Sequence, residues 1–108
     1  MRPVPVESLR DFVTGLYQAN GLPADDARLV ADTLVTADVW GHSSHGVMRA
    51  PWYIDRLRSG VMRPVTQPRS LVDAGAISVL DAEDGVGQVV AVQAMLDAVR
   101  RAKTHGVG

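Results

Sequence analysis

Only one run in these 108 residues, Ala76-Ile-Ser-Val-Leu-Asp81, reads as a β-strand, bounded by Gly75 and by the acidic turn Glu83-Asp84-Gly85. That scarcity constrains the fold more than any other feature. A lone strand carries two rows of unpaired backbone donors and acceptors, which another segment or another chain must satisfy. A closed sheet cannot be built from it. The fold class expected is α+β: an N-terminal helical region, then the start of a β-α sheet domain, truncated. His105-Gly-Val-Gly108 reads as a helix exit turning into a strand that does not follow. The expectation is the front part of a longer protein, or a chain that completes its sheet in an assembly.

Periodicity and punctuation divide the chain into a helical region at 1–60, an extended crossover at 61–75 and a strand–helix segment at 76–108. In the first part, Val6, Leu9, Phe12, Val13, Leu16 and Tyr17 recur at helical spacing up to Asn20, with Gly21 as a stop. Pro23 opens a second helix. Asp25 and Asp26 complement its positive end, and Ala27, Val30, Ala31, Leu34, Val35 and Ala37 form the face expected to be buried. The short link between the two predicts an antiparallel pair. A third helix runs to about Arg58 and stops at Gly60, with Trp52, Ile54 and Leu57 as packing residues and Trp40 packing the end of the helix before it. Pro51 removes a helical hydrogen bond, so this helix is either kinked or begins near Ala50. Pro64 and Pro68, with no helical period around them, make the crossover extended. From Gly87 to Lys103 a strong helix is expected, with Val89, Val90, Val92, Met95, Leu96 and Val99 on one face. Arg100, Arg101 and Lys103 suit its C-terminus.

Charge limits the partners. Eleven basic residues against twelve acidic give a net charge of −1, with no whole-chain attraction for nucleic acid or for an anionic membrane. There is no cysteine, which fits a reducing cytoplasm. No apolar run has the length of a membrane span, and the N-terminus lacks the apolar core of a signal peptide. A helix-turn-helix reading of the first two helices gains nothing from a second helix whose exposed side is acid and alanine. Five arginines lie between Arg49 and Arg69 against Asp55 alone, enough to line an anion site or simply to solvate a face.

Between the second and third helices lies Gly41-His-Ser-Ser-His-Gly-Val-Met-Arg-Ala-Pro-Trp-Tyr53, which concentrates imidazole, hydroxyl, guanidinium and phenol. If the segment after Ser44 is helical, His45, Arg49 and Tyr53 fall at i, i+4 and i+8, on one face. An imidazole can move a proton near neutral pH, and a guanidinium can hold a carboxylate through two parallel hydrogen bonds. Together they suit a small carboxylate-bearing ligand, with Ser44 either capping the helix or orienting the ring. Each residue also has an ordinary role: Ser44 as a cap, His45 and Arg49 on a solvated face, Tyr53 in half-buried packing. Pattern alone leaves both readings open. Two other candidates are weaker. Gly85-Val-Gly87 opens a helix after a strand, but Val90 stands where the third glycine of a dinucleotide fingerprint belongs, so it reads as a helix-entry turn. Asp38, His42 and His45 are interrupted by Gly41 and lack a further ligand, so no metal is expected.

From Asp38 to Gly60 the sequence resembles the malate/L-lactate dehydrogenase family, which also includes ureidoglycolate, sulfolactate and cyclic-imino-acid enzymes and is distinct from the Rossmann-type dehydrogenases. The likeness rests on Ser44-His45-Gly46 with Arg49 and Tyr53 following. It continues through Asp81-Ala-Glu-Asp-Gly-Val-Gly-Gln88 and Lys103-Thr-His-Gly-Val-Gly108. The resemblance implies an oxidoreductase using NAD or NADP to interconvert a 2-oxo acid (or cyclic imine) and a 2-hydroxy acid (or cyclic amino acid). It implies that His45 exchanges the proton, Ser44 relays to it or orients it, Arg49 binds the substrate carboxylate and Tyr53 lines the pocket. It also implies a homodimer, and the composition places the expected protein in the cytoplasm. Most cofactor contacts, a further histidine used as acid/base in some members and an acidic partner would lie beyond Gly108, so the 108 residues alone are expected to be inactive. The alternative is a non-catalytic helical interaction module that keeps the sequence without the chemistry.

Overall fold

The structure, a computed structural model, describes residues 2–108 and divides after Pro64 into two compact units. The first is helical. Helices α1 (Val6–Ala19) and α2 (Ala24–Val39) pack against each other along a seam of Val13, Tyr17, Ala27, Val30, Ala31, Leu34 and Val35, all buried. Ala27 and Ala31 have small side chains that let the helices approach. Each valine or leucine removed from water contributes about 1.5–3 kcal/mol. Arg28 reaches Asp11 at 2.6 Å and Glu7 at 3.2 Å across the pair, and Arg10 bridges Glu7 and Asp32. Such exposed pairs contribute about 0–1 kcal/mol each, so the apolar seam holds the helices. Phe12, expected on the buried face of α1, is 64% exposed instead.

Tyr17 is fully buried and its hydroxyl has no hydrogen-bond partner among the described residues. Burial, with Tyr53 adding to it, pushes that phenol above its ordinary pKa. Tyr17→Phe removes an unpaired polar atom and keeps the ring, so it should leave stability unchanged or raise it by about 1 kcal/mol, read from the denaturant midpoint.

After α2 the chain makes two 3-10 turns, Ser43–His45 and Val47–Arg49, before α3 (Ala50–Ser59). Pro51 lies in the first turn of α3, where its missing N–H costs nothing, so the helix begins late and is not kinked. Ile54 and Leu57 are buried, and Gly60 ends the helix in the left-handed conformation. Trp40, expected to pack the end of α2, is 78% exposed. None of the helices among the described residues is long and apolar enough to cross a membrane.

The second unit corrects the expected lone strand. Within the expected crossover, residues Arg69–Ala74 form β1, which pairs antiparallel with β2 (Ile77–Asp81) through the tight turn at Gly75-Ala76. The register slips between Ser70 and Val72, a bulge at Leu71 that breaks the in–out alternation of side chains. Helix α4 (Gly87–His105) follows. Its expected apolar face divides: Val89 is buried and Val90 half-buried, whereas Val92, Met95, Leu96 and Val99 are exposed. Arg101, expected to serve the helix dipole, is buried instead. It donates to Asp97 at 2.8 Å, to Asp73 at 2.7 Å and to the Gly75 carbonyl at 2.7 Å.

Between β2 and α4, Gly85 N–H donates to the Ala82 carbonyl at 2.8 Å across Glu83 and Asp84, which have φ of 52° and 61°. Two successive positive φ values mark a type I′ turn, a conformation costly for residues with a Cβ and favouring Asn-Gly. Asp84→Gly should therefore stabilise the protein by about 1 kcal/mol, seen as a higher thermal midpoint.

Candidate active site

The chemistry-bearing segment runs from the end of α2 into α3. Its two 3-10 turns are separated by Gly46, which is buried and extended at φ −88° and ψ −158°. His45 therefore does not share a helix with Arg49 and Tyr53, and the single face expected from helical spacing is not formed. Gly46 interrupts the spiral, and its conformation is held because Val47 N–H donates to the Asp38 carboxylate at 2.9 Å.

Three of the four expected residues come together on this interrupted segment. The Ser44 hydroxyl lies 3.0 Å from His45 Nδ1, and it caps neither 3-10 turn nor α3. A hydroxyl both donates and accepts, so it can follow either protonation state of Nδ1 and leave Nε2 for a ligand. Arg49 donates from Nε to the Ser44 carbonyl at 2.6 Å. That bond leaves the terminal pair of guanidinium nitrogens as a fork for a carboxylate. The Trp52 ring lies 5.9 Å from the Arg49 guanidinium and 4.6 Å from that of Arg56, close enough for cation–π attraction to both.

Tyr53 is placed differently. It is half-buried, tilted against Trp52 at 5.2 Å between ring centroids, and near enough to Tyr17 to affect its ionisation. No hydrogen bond joins it to Ser44, His45 or Arg49 among the described residues.

His45 opens onto a cleft of about 420 Å³ along α2, lined also by Thr33, Thr36, Ala37, Trp40 and His42. The rings of His42 and His45 meet edge to face at 6.0 Å. Among the described residues no three His, Asp or Glu side chains converge as metal ligands, and Asp38 is committed to the Val47 amide. Asp38 and Trp52 are the residues whose part in this site the sequence reading missed. Asp38 carried a signal: it stands in the last turn of a helix with no basic residue there, where the dipole disfavours an acid.

The Gly85-Val-Gly87 turn does not form a Rossmann-type dinucleotide seat. Such a seat in an open α/β sheet needs a glycine-rich turn between a parallel strand and a helix. Among the described residues β2 pairs only with β1, and antiparallel; Val86 between the two glycines is buried, and the Gly85 turn closes on the Ala82 carbonyl.

Residues 4–108 match the family described as malate/L-lactate dehydrogenase. The chain is 36% identical over 105 residues to malate dehydrogenase of Pyrococcus horikoshii, covering 97% of this chain and 29% of that protein. That enzyme's solved structure superposes with a TM-score of 0.92 over 97% of this chain and 30% of its own. L-sulfolactate dehydrogenase of Methanocaldococcus jannaschii is 36% identical over 102 residues, 94% of this chain and 30% of that protein. The structure of Δ1-piperideine-2-carboxylate reductase from Pseudomonas syringae superposes with a TM-score of 0.82 at 26% identity, over 96% of this chain and 31% of that one. The chain thus spans about 30% of the length of the curated relatives it matches, with nearly all of its own residues taking part. It belongs to the malate/L-lactate dehydrogenase family.

Proposed function

We propose that this chain supplies the substrate-facing residues of an oxidoreductase that interconverts a 2-oxo acid, or a cyclic imine bearing a carboxylate, with the matching 2-hydroxy or cyclic amino acid. The observation that carries this reading is the Ser44–His45–Arg49 arrangement, a hydroxyl-oriented imidazole beside a guanidinium with a free fork. Reduction at a carbon next to a carboxylate needs two things from the protein. The carboxylate must be held in one orientation, and a proton must reach the oxygen or nitrogen as it gains charge. Arg49 answers the first need and His45 the second, with Ser44 keeping the imidazole turned. Tyr53 lines the pocket wall in this reading. The substrates named for these relatives, malate, sulfolactate and piperideine-2-carboxylate, share this carboxylate-bearing centre.

The redox partner proposed is NAD or NADP, and the protein is taken to be a cytoplasmic homodimer without nucleic-acid or membrane partners. The near-zero net charge supports the lack of nucleic-acid and anionic-membrane partners, and the absence of cysteine supports the cytoplasm. The test is reduction of oxaloacetate, pyruvate and piperideine-2-carboxylate by the protein as its source produces it, with NADH and with NADPH. Turnover of at least one supports the reading, and none with either nucleotide overturns it. The 108 residues alone should not oxidise NADH or NADPH with these substrates, and brisk oxidation by them would overturn that expectation.

A further inference from the structure

We propose that Asp38 is the positioning residue of this site: its carboxylate fixes the backbone between the two 3-10 turns and so sets the spacing of the His45 imidazole and the Arg49 guanidinium. The first observation is the bond from Val47 N–H to Asp38 Oδ2 at 2.9 Å. Val47 opens the second 3-10 turn, and its amide is one that helical geometry leaves without an acceptor. Asp38 therefore caps that turn from another helix.

The second observation is the packing of Gly46. Its φ and ψ are open to any residue, so conformation does not demand glycine here. Space does. A Cβ at position 46 would fall far inside contact distance of both Asp38 oxygens. The backbone lies directly on the carboxylate, and only a residue without a side chain permits it.

The consequence for the site follows from connectivity. His45 immediately precedes the clamped peptide, and Arg49 bonds back across it to the Ser44 carbonyl. Movement of the Gly46–Val47 peptide displaces both functional groups, and a misplacement of about 1 Å at a reacting centre can cost about 10²-fold in rate. The effect on turnover rests on the dehydrogenase reading above, whereas the clamp itself does not.

The experiment compares Asp38→Ala, Asp38→Asn, Gly46→Ala and the double variant Asp38→Ala/Gly46→Ala in the whole protein. Four quantities are measured: thermal midpoint, hydrogen exchange at the Val47 amide, chemical shifts of the His45 ring, and kcat and KM for a 2-oxo acid. Asp38→Ala should speed Val47 exchange, shift the His45 ring resonances and lower kcat/KM by about 10- to 100-fold. Asp38→Asn keeps an oxygen that accepts the Val47 N–H, so it should recover most of that loss. Gly46→Ala alone should lower the midpoint sharply. The double variant should regain the midpoint, because alanine at 38 leaves room for the new Cβ, without regaining turnover.

Unchanged Val47 exchange in Asp38→Ala, or an equal cost of Gly46→Ala in both backgrounds, would show that no clamp exists. Faster exchange with parental kcat/KM would show a clamp that positions nothing. If the parent protein turns over no 2-oxo acid, the dehydrogenase reading falls by itself. The His45 resonances then decide the positioning role: they move in Asp38→Ala if the clamp sets the imidazole, and stay if it does not.

Discussion

Replacing His45 by alanine is expected to lower kcat for 2-oxo acid reduction by about 10²–10⁴-fold, the usual contribution of a positioned proton donor. The unfolding midpoint should hardly move. The imidazole is exposed, and among the described residues its one hydrogen bond is to the neighbouring Ser44 hydroxyl. Arg49→Lys should act on binding instead, raising KM by about tenfold or more. Lysine is a point charge that cannot make two parallel bonds to a carboxylate, and it cannot reproduce the Nε bond to the Ser44 carbonyl. The contrast between the two variants is the informative part. A loss in kcat at position 45 and in KM at position 49, with both proteins folded, separates proton transfer from carboxylate capture. Parental turnover in His45→Ala would remove the imidazole from the chemistry altogether.

What could be read in the sequence was whatever depends on near neighbours. The bounds of α1, α2, α3 and α4 follow from punctuation: Pro23 before α2, Pro51 in the first turn of α3, Gly60 and Gly106 at helix exits. The grouping of Ser44, His45 and Arg49 was legible for the same reason. Their exact relation was not, because the i, i+4 arithmetic assumes an unbroken helix. Whether Gly46 breaks it depends on Asp38, which is nine residues away from its partner Val47.

Strand β1 was hidden by its own irregularity. Leu71 and Val72 are adjacent apolar residues around a bulge, so no period of two is visible. The strand is recognisable only through the partner that the turn at Gly75 brings back. Arg101 shows the same limit. Read locally it is a cation in the last turns of a helix, but its acceptors Asp73 and Gly75 lie 28 and 26 residues earlier. The exposed stripe at Val92, Met95, Leu96 and Val99 carries the amphipathic spacing of a buried face. Periodicity reports which residues share a face, not what covers it.

Arg101→Met should be among the most damaging changes to the second unit. Methionine retains much of the apolar stem but takes one donor from each of Asp97, Asp73 and the Gly75 carbonyl, of which Asp97 keeps Ser78 and Arg100. Asp73 is largely exposed and can turn to water, whereas Asp97 is mostly enclosed. The thermal midpoint should fall by about 5–10 °C, with faster amide exchange in β1, β2 and α4. The pH dependence gives the sharper test. Arg101, then Ser78 and Arg100, hold the Asp97 carboxyl well below the usual carboxylate range. A carboxyl whose folded pKa is depressed stabilises the fold above its unfolded pKa, about 3.9, and that stability is lost as pH falls towards the folded value. The parent protein should therefore lose stability progressively below about pH 5. Arg101→Met removes the largest cause of the depression and should flatten this acid limb, as should Asp97→Asn, which removes the titrating group. Asp81 is lowered too, by the Glu83 backbone N–H and then by Arg69, so a shallower acid limb should persist in both variants. An acid limb as steep in Asp97→Asn as in the parent would place the titration elsewhere and reduce the Arg101 cluster to packing alone.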